Sequence, residues 1–374
     1  MNNIPVNQPL LNGNEEKYLI ECIRTGWISS EGPFIKKFED NFSARVQRNY
    51  GIAVSNGSVA LDIAIKALGI GEDDEVILPA FTIISCAASI VRSGATPVLV
   101  DSDSKTWNID INQIESKITS KTKAIMVVHI YGLPVDMNRI VNLAQKYKLK
   151  IIEDAAEMHG QTYYDLPCGS FGDISIFSFY PNKHITTGEG GMLVTNDNDL
   201  NLKCKSLRNL CFNDVRRFVH YELGWNFRMT NLQAALGVAQ LERLDEFVIK
   251  KRKIGEIYNN RFKNIKGLNL PLEQTEYAQN IYWVYAIVLT QDIQINAIEM
   301  MALLAKKGIG TRPFFYPMHL QPVFINMGLF KNQNFPVSEY ISENGFYLPS
   351  GLAITEDEIN QSADAVIEIL ESFK

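Results

Sequence analysis

The feature that most constrains this 374-residue chain is a repetition of short apolar runs separated by stretches of helical periodicity. The runs are GIAV from Gly51, VILP from Val76, PVLVD from Pro97, KAIMVVHI from Lys123 and LKIIED from Leu149, then DISIFSF from Asp173 and GMLVTN from Gly191. An apolar run without polar alternation suits a strand buried on both faces, as happens when helices cover both sides of a parallel sheet. Between the runs lie helical patterns. With Asp136 as N-cap, the residues Met137, Ile140, Val141, Ala144 and Tyr147 share one face. The expectation is an α/β domain with a mixed, mostly parallel seven-stranded sheet flanked by helices. The last two runs are too close for a helical crossover, so a loop joins them as antiparallel neighbours.

From Met229 the pattern turns helical and predicts one long helix over residues 229–262. Beyond it we expect a strand (YWVYAIVL from Tyr282), a helix from Ala297 to Lys307, a strand (GIGTRPF) and a closing helix from Glu356 to Phe373. The length exceeds what one core usually supports. The expected division is an N-terminal arm and large domain over residues 1–248 and a small C-terminal α/β domain over 249–374.

The net charge of −6 comes with both signs mixed along the chain, and no basic stripe points to nucleic acid as a partner. The run Lys250, Lys251, Arg252, Lys253 reads as a solvated helix face. No apolar run approaches the roughly 20 residues that span a bilayer, and the N-terminus lacks the pattern of a secretory signal. Five scattered cysteines without a C-x-x-C pair suit reduced thiols in a cytoplasm, with no disulfide framework and no metal site.

Three local features carry chemistry. Asp154 ends the run IIED at the carboxyl end of an expected strand, where open α/β sheets bind ligands; taken alone, it equally suits a helix cap. The segment SIFSFYPNKHITTGEGG runs from a strand ending at Ser178 through a turn to Lys183, two threonines and a glycine-rich exit. A buried lysine of lowered pKa forms a Schiff base with an aldehyde, although a turn lysine is more often a surface charge. In SNGSVALDIAIKAL, Asn56 and Gly57 precede a helix that begins near Ser58, and a helix N-terminus suits a phosphate. Pyridoxal 5′-phosphate needs these three things together: an anion site, a carboxylate for its ring nitrogen and a lysine for its aldehyde.

The motifs TGWISSEG (from Thr25), SNGSVAL, VHIYGLPVDM (from Val128), IEDAAEMHG, FGDISIFSFYPNK…TTGEGGM, FRMTNLQAALG (from Phe227) and RPFFYPMH (from Arg312) occur in that order. They resemble the DegT/DnrJ/EryC1/StrS sugar aminotransferases, and the resemblance runs from Pro5 to the C-terminal helix. It implies a fold-type I transferase that cycles between pyridoxal and pyridoxamine 5′-phosphate, with L-glutamate and a keto-sugar nucleotide as substrates. By the same resemblance Lys183 holds the cofactor and moves the proton, and Asp154 pairs with the pyridine nitrogen. Glu157 stands near the ring hydroxyl, Ile83 covers the ring, and Gly57, Ser58 and Ser178 hold the phosphate. Asn231 reaches the phosphate across a homodimer interface, and Trp27, Ser29, Arg312, Tyr316 and His319 face the sugar nucleotide. Many relatives have an aromatic ring where this chain has Ile83, and residues 211–224 depart from the family pattern. His184 beside Lys183 leaves a related dehydratase open as a second reading, and a non-enzymatic cofactor-binding sensor is a third.

Overall fold

A computed structural model describes residues 3–212 and 215–373. Helices α1 (Glu15–Thr25) and α2 (Pro33–Arg45) precede the sheet. The strands β1 (Tyr50–Val54), β2 (Glu75–Pro79), β3 (Thr96–Val100), β4 (Thr122–Val128) and β5 (Lys150–Asp154) follow. After β5 a small hairpin, β6 (Thr162–Tyr163) and β7 (Leu166–Pro167), leads to β8 (Ile174–Ser178) and β9 (Gly191–Thr195). Helices α3 (Gly57–Ala67), α4 (Ile84–Arg92), α5 (Ile111–Ile114) and α6 (Met137–Tyr147) lie between strands, and α7 (Asn198–Arg208) follows β9.

The seven-stranded sheet has the order β1-β9-β8-β5-β4-β2-β3. Pairs within β3-β2-β4-β5-β8 are parallel, and β9 runs antiparallel to both β8 and β1. This is the mixed, mostly parallel sheet that the uninterrupted apolar runs require, buried on both faces by two hydrophobic clusters. Because β1 opposes β9, its direction matches that of β8, β5, β4 and β2. The carboxyl ends of these strands therefore share one edge, which gathers Asn56, Phe81, Asp154 and Ser178. Asp136 caps α6 as expected, accepting from the Arg139 N–H at 3.4 Å.

The expected long helix is two helices, α8 (Asn231–Leu241) and α9 (Leu244–Phe262). At the end of α8, the Gln240 side chain turns inward to donate to Glu15 Oε1 at 2.7 Å and to the Leu10 carbonyl at 3.0 Å. Arg243 leaves the helical region, with φ −115° and ψ 10°. The break lets α8 pack on α1 and α2 while α9 packs on the terminal helix. No glycine or proline marks it in the sequence.

The second sheet has the order β10-β11-β13-β12, all antiparallel: β10 (Leu268–Asn269), β11 (Tyr285–Leu289), β12 (Arg312–Pro313) and β13 (Gly345–Leu348). Helices α10 (Ala297–Lys306), α11 (Pro322–Asn326), α12 (Pro336–Asn344) and α13 (Glu356–Ser372) accompany it. The strand expected over GIGTRPF shrinks to two residues, and the residues before it pair with Ile4 instead. The strand expected from Tyr282 begins only at Tyr285, because Tyr282 has φ 49°, outside the β region. The sequence reading missed β13, although it pairs with both β11 and β12. The first residues run along this sheet: the Ile4 N–H donates to the Gly308 carbonyl and the Gly310 N–H to the Ile4 carbonyl, both at 2.8 Å.

Candidate active site

The strand ends enclose a cleft of about 710 Å³ at the shared edge. Its lining includes Gly57, Ser58, Ile83, Asp154, Glu157, Ser178 and Lys183, which come from four separate segments of the chain.

Asp154 is 3% exposed at the end of β5. Its Oδ1 accepts from the Ala156 N–H at 3.0 Å and its Oδ2 from the Cys86 thiol at 3.3 Å. Burial raises its pKa, and the Lys183 charge opposes that shift. Burial also pushes the Cys86 thiol well up, so it keeps its proton and donates.

Lys183 sits in the loop between β8 and β9, in a turn closed by its own N–H to the Tyr180 carbonyl at 2.9 Å. Its Nζ lies 3.8 Å from Glu157 Oε1 and 3.9 Å from the centre of the Trp283 ring. The Trp283 indole N–H donates to the Asn182 carbonyl at 2.8 Å, which fixes the ring against the same loop. Burial pushes the Lys183 amine down, and Glu157 and Asp154 push it back up. Burial raises Glu157 to about 8 despite the nearby lysine and the Tyr131 N–H that bonds its Oε2 at 2.7 Å. The two groups are therefore driven towards the uncharged amine and the uncharged acid, and an uncharged amine is the nucleophilic form.

At the other end of the cleft, Asn56 caps α3 by accepting from the Val59 N–H at 3.0 Å. The first N–H groups of a helix lack acceptors within it, and here that end opens on the cleft beside Gly57 and Ser58. A Cβ on Gly57 would meet Ser178 Cβ at 2.8 Å, so glycine lets α3 close on the end of β8. Ser58 Oγ shares a hydrogen bond of 2.7 Å with Ser85 Oγ. Ile83 is 43% exposed in the wall and offers an apolar face. An anion site, a buried carboxylate and a buried amine thus line one space of the right size for pyridoxal 5′-phosphate, and the residues present fit it.

The sequence profile of the DegT/DnrJ/EryC1/StrS aminotransferase family matches residues 9–367. The chain belongs to this family. It is 44% identical to a GDP-perosamine synthase of Escherichia coli O157:H7, over 98% of this chain and 99% of that one. It is 40% identical to a GDP-perosamine synthase of Caulobacter vibrioides, over 98% of each. A putative sugar aminotransferase of Streptococcus pneumoniae, solved in its PLP form, superposes over all of both chains with a TM-score of 0.93 and 25% identity. The chain is a PLP-dependent sugar aminotransferase with the fold of that family.

Within the single chain, the other residues expected at the site have the following places. Asn231 does not reach outward: it is fully buried, its Oδ1 accepts from the Phe34 N–H at 2.9 Å, and its Nδ2 donates to the Trp27 carbonyl at 2.8 Å and to Cys22 Sγ at 3.2 Å. Both ends of the amide are used in holding residues 27–34 on α8. His319 is likewise packed, with Nε2 2.8 Å from Glu339 Oε1 and its ring edge on Phe335, away from the cleft. Trp27 and Tyr316 are half exposed and do not line the cleft, and the Ser29 carbonyl accepts from the Asn231 N–H. Arg312 lines an adjoining cavity of about 240 Å³ that shares Tyr180, Asn182 and Tyr347 with the cleft. His184 is buried with Nε2 3.2 Å from the Ile281 carbonyl and does not line the cleft, which leaves the dehydratase reading without its one support. Asn213 and Asp214, within the divergent stretch 211–224, lie outside the described residues.

Sequence reasoning missed Trp283 and Cys86. Trp283 belongs to a run that looks like a core strand, and Cys86 looks like any small buried residue. Each acquires its place from a partner far away in the chain.

Proposed function

We propose that the chain moves the amino group of L-glutamate to C4 of GDP-4-keto-6-deoxy-D-mannose, giving GDP-perosamine and 2-oxoglutarate. The observation that carries this reading is the buried Lys183 amine between Glu157 and Trp283, in the same cleft as Asp154. The GDP-perosamine synthases that resemble the chain over nearly its whole length supply the sugar.

In this reading Gly57, Ser58 and Ser178 hold the cofactor phosphate, Ile83 covers one face of the ring, Glu157 stands near the ring hydroxyl and Asp154 holds the proton on the ring nitrogen. Bound there, the cofactor supplies an aldehyde carbon that takes up the amino group and a ring that stores the electron pair. Lys183 accepts the Cα proton of glutamate, and in the return half-reaction it moves a proton at the sugar carbon that gains nitrogen. Burial favours that role because an uncharged amine is the base. Residues 1–248 form the arm and cofactor-binding unit in the same reading, and 249–374 the small unit. The working form is a homodimer, supported by the exposed Ile23, Trp27 and Ile28 beside the Asn231 anchor. The five unpaired, buried cysteines suit a cytoplasmic enzyme whose product enters surface polysaccharide.

The test is the visible spectrum of protein loaded with pyridoxal 5′-phosphate, before and after L-glutamate, with K183A alongside. The wild type should show a band that glutamate bleaches, and K183A should show neither. Incubation with GDP-4-keto-6-deoxy-D-mannose should then yield GDP-perosamine by mass spectrometry. Bleaching without that product would leave the chemistry and remove the sugar assignment.

A further inference from the structure

Lys251 departs from the solvated face expected for its basic run: it is 3% exposed on α9. Its Nζ donates to the Trp283 carbonyl at 2.7 Å and to the Ser350 carbonyl at 2.6 Å. Among the described residues it has no ion pair. Burial pushes this amine down to about 7, while two carbonyl acceptors favour its charged form. A buried amine without a carboxylate partner is costly, and an apolar side chain of similar volume fills such a space without that cost.

The geometry gives a reason for a lysine here. Tyr282, at φ 49°, turns the chain away from the β11 ladder just before Trp283. The Trp283 carbonyl consequently has no strand partner, and an unpaired buried carbonyl is unfavourable. Lys251 bonds it and also grips Ser350, just beyond β13, so the two neighbouring strands are held at one point. From the peptide so fixed, the indole reaches the loop of Lys183 in two ways. Its face lies 3.9 Å from the Lys183 amine, and its N–H donates to the carbonyl of Asn182 at 2.8 Å.

We propose that Lys251 is a positioning residue of the active site: by holding the Trp283 carbonyl, it sets the indole that covers the Lys183 amine and holds the Asn182 peptide. The inference rests on reading Lys183 as the reactive amine.

The experiment follows Lys183 itself in cofactor-free protein, by the pH dependence of its acylation with acetic anhydride, read by peptide mass spectrometry. It compares wild type with K251M and K251R. Loosening the indole admits water, so the acylation midpoint of Lys183 in K251M should rise by roughly one pH unit, because burial is the main cause of its low value. K251R, which keeps donors in place, should lie close to wild type. In loaded enzyme the kcat of K251M should fall about tenfold with a smaller change in KM, since Lys251 itself does not line the cleft and acts through the indole over the Lys183 amine.

A K251M protein with lower thermal stability but a wild-type acylation profile would overturn the proposal and leave Lys251 a purely structural residue. Where K251M does not fold, K251Q, whose shorter amide cannot bridge both carbonyls, replaces it. Its midpoint should rise by a smaller amount, and a profile superimposable on wild type overturns the proposal equally. If wild-type Lys183 itself acylates like an exposed lysine, the reading of Lys183 fails instead, which separates the two failures.

Discussion

The Lys183 amine and the Glu157 carboxyl face each other across 3.8 Å in a space where burial disfavours both charges. Ionised Glu157 is the largest of the influences that hold the proton on Lys183, and its own pKa is about 8. The readiness of the amine is therefore coupled to the protonation of its neighbour.

For E157Q, the midpoint of Lys183 acylation should move to lower pH. The difference from wild type should grow above about pH 8, where native Glu157 ionises and raises the amine pKa. An unchanged or upward-shifted profile would show that the carboxylate does not act on the amine.

Cys86 gives Asp154 Oδ2 a donor inside the protein. C86A leaves that buried oxygen without it and should lower the stability of the cofactor-free protein by about 1–2 kcal/mol. C86S restores a donor and should recover most of the loss. Urea unfolding of the three proteins decides this, and equal losses in C86A and C86S would point to packing volume instead.

Glu153, on the opposite side of β5 from the cleft, accepts from the N–H groups of Gly169, Phe171 and Gly172 at 2.5, 3.0 and 3.1 Å, from the Ser175 hydroxyl at 2.9 Å and from His129 Nε2 at 3.1 Å. These donors bring its pKa down to about 2 in spite of its burial. A carboxyl depressed on folding stabilises the fold fully above its unfolded pKa of about 4.3 and loses that contribution as pH falls through the folded value. The shift corresponds to about 3 kcal/mol. E153Q should therefore be destabilised by that order at pH 7, and the gap to wild type should close as pH falls from about 4.3 towards 2. A gap that stays constant over that range in denaturant titrations would contradict the charge argument.

Asn231 holds residues 27–34 within its own chain. N231A should lose roughly 1–3 kcal/mol of stability. Its affinity for pyridoxal 5′-phosphate should change by less than about threefold, measured by fluorescence titration. A large loss of affinity at unchanged stability would instead support the contact with the phosphate across a homodimer interface.

The amino-acid sequence by itself determined the seven strands of the main sheet, the helix capped by Asp136 and the cleft residues Gly57, Ser58, Asp154, Ser178 and Lys183. Continuous apolar runs, caps and strand ends are local, and an α/β sheet with parallel neighbours brings its strand ends to one edge. Tertiary structure alone decided the rest. The break between α8 and α9 follows from where Gln240 finds its partners near the N-terminus. The strand β13 exists because β11 and β12 lie on either side of it. Trp283, Cys86 and Lys251 gain their places at or behind the site from partners in distant segments, and the same kind of long-range contact turns Asn231 and His319 inward. A side chain whose energy depends on a hydrogen bond to a remote segment leaves no periodicity in the sequence. Only the fold sets which donor and which acceptor meet.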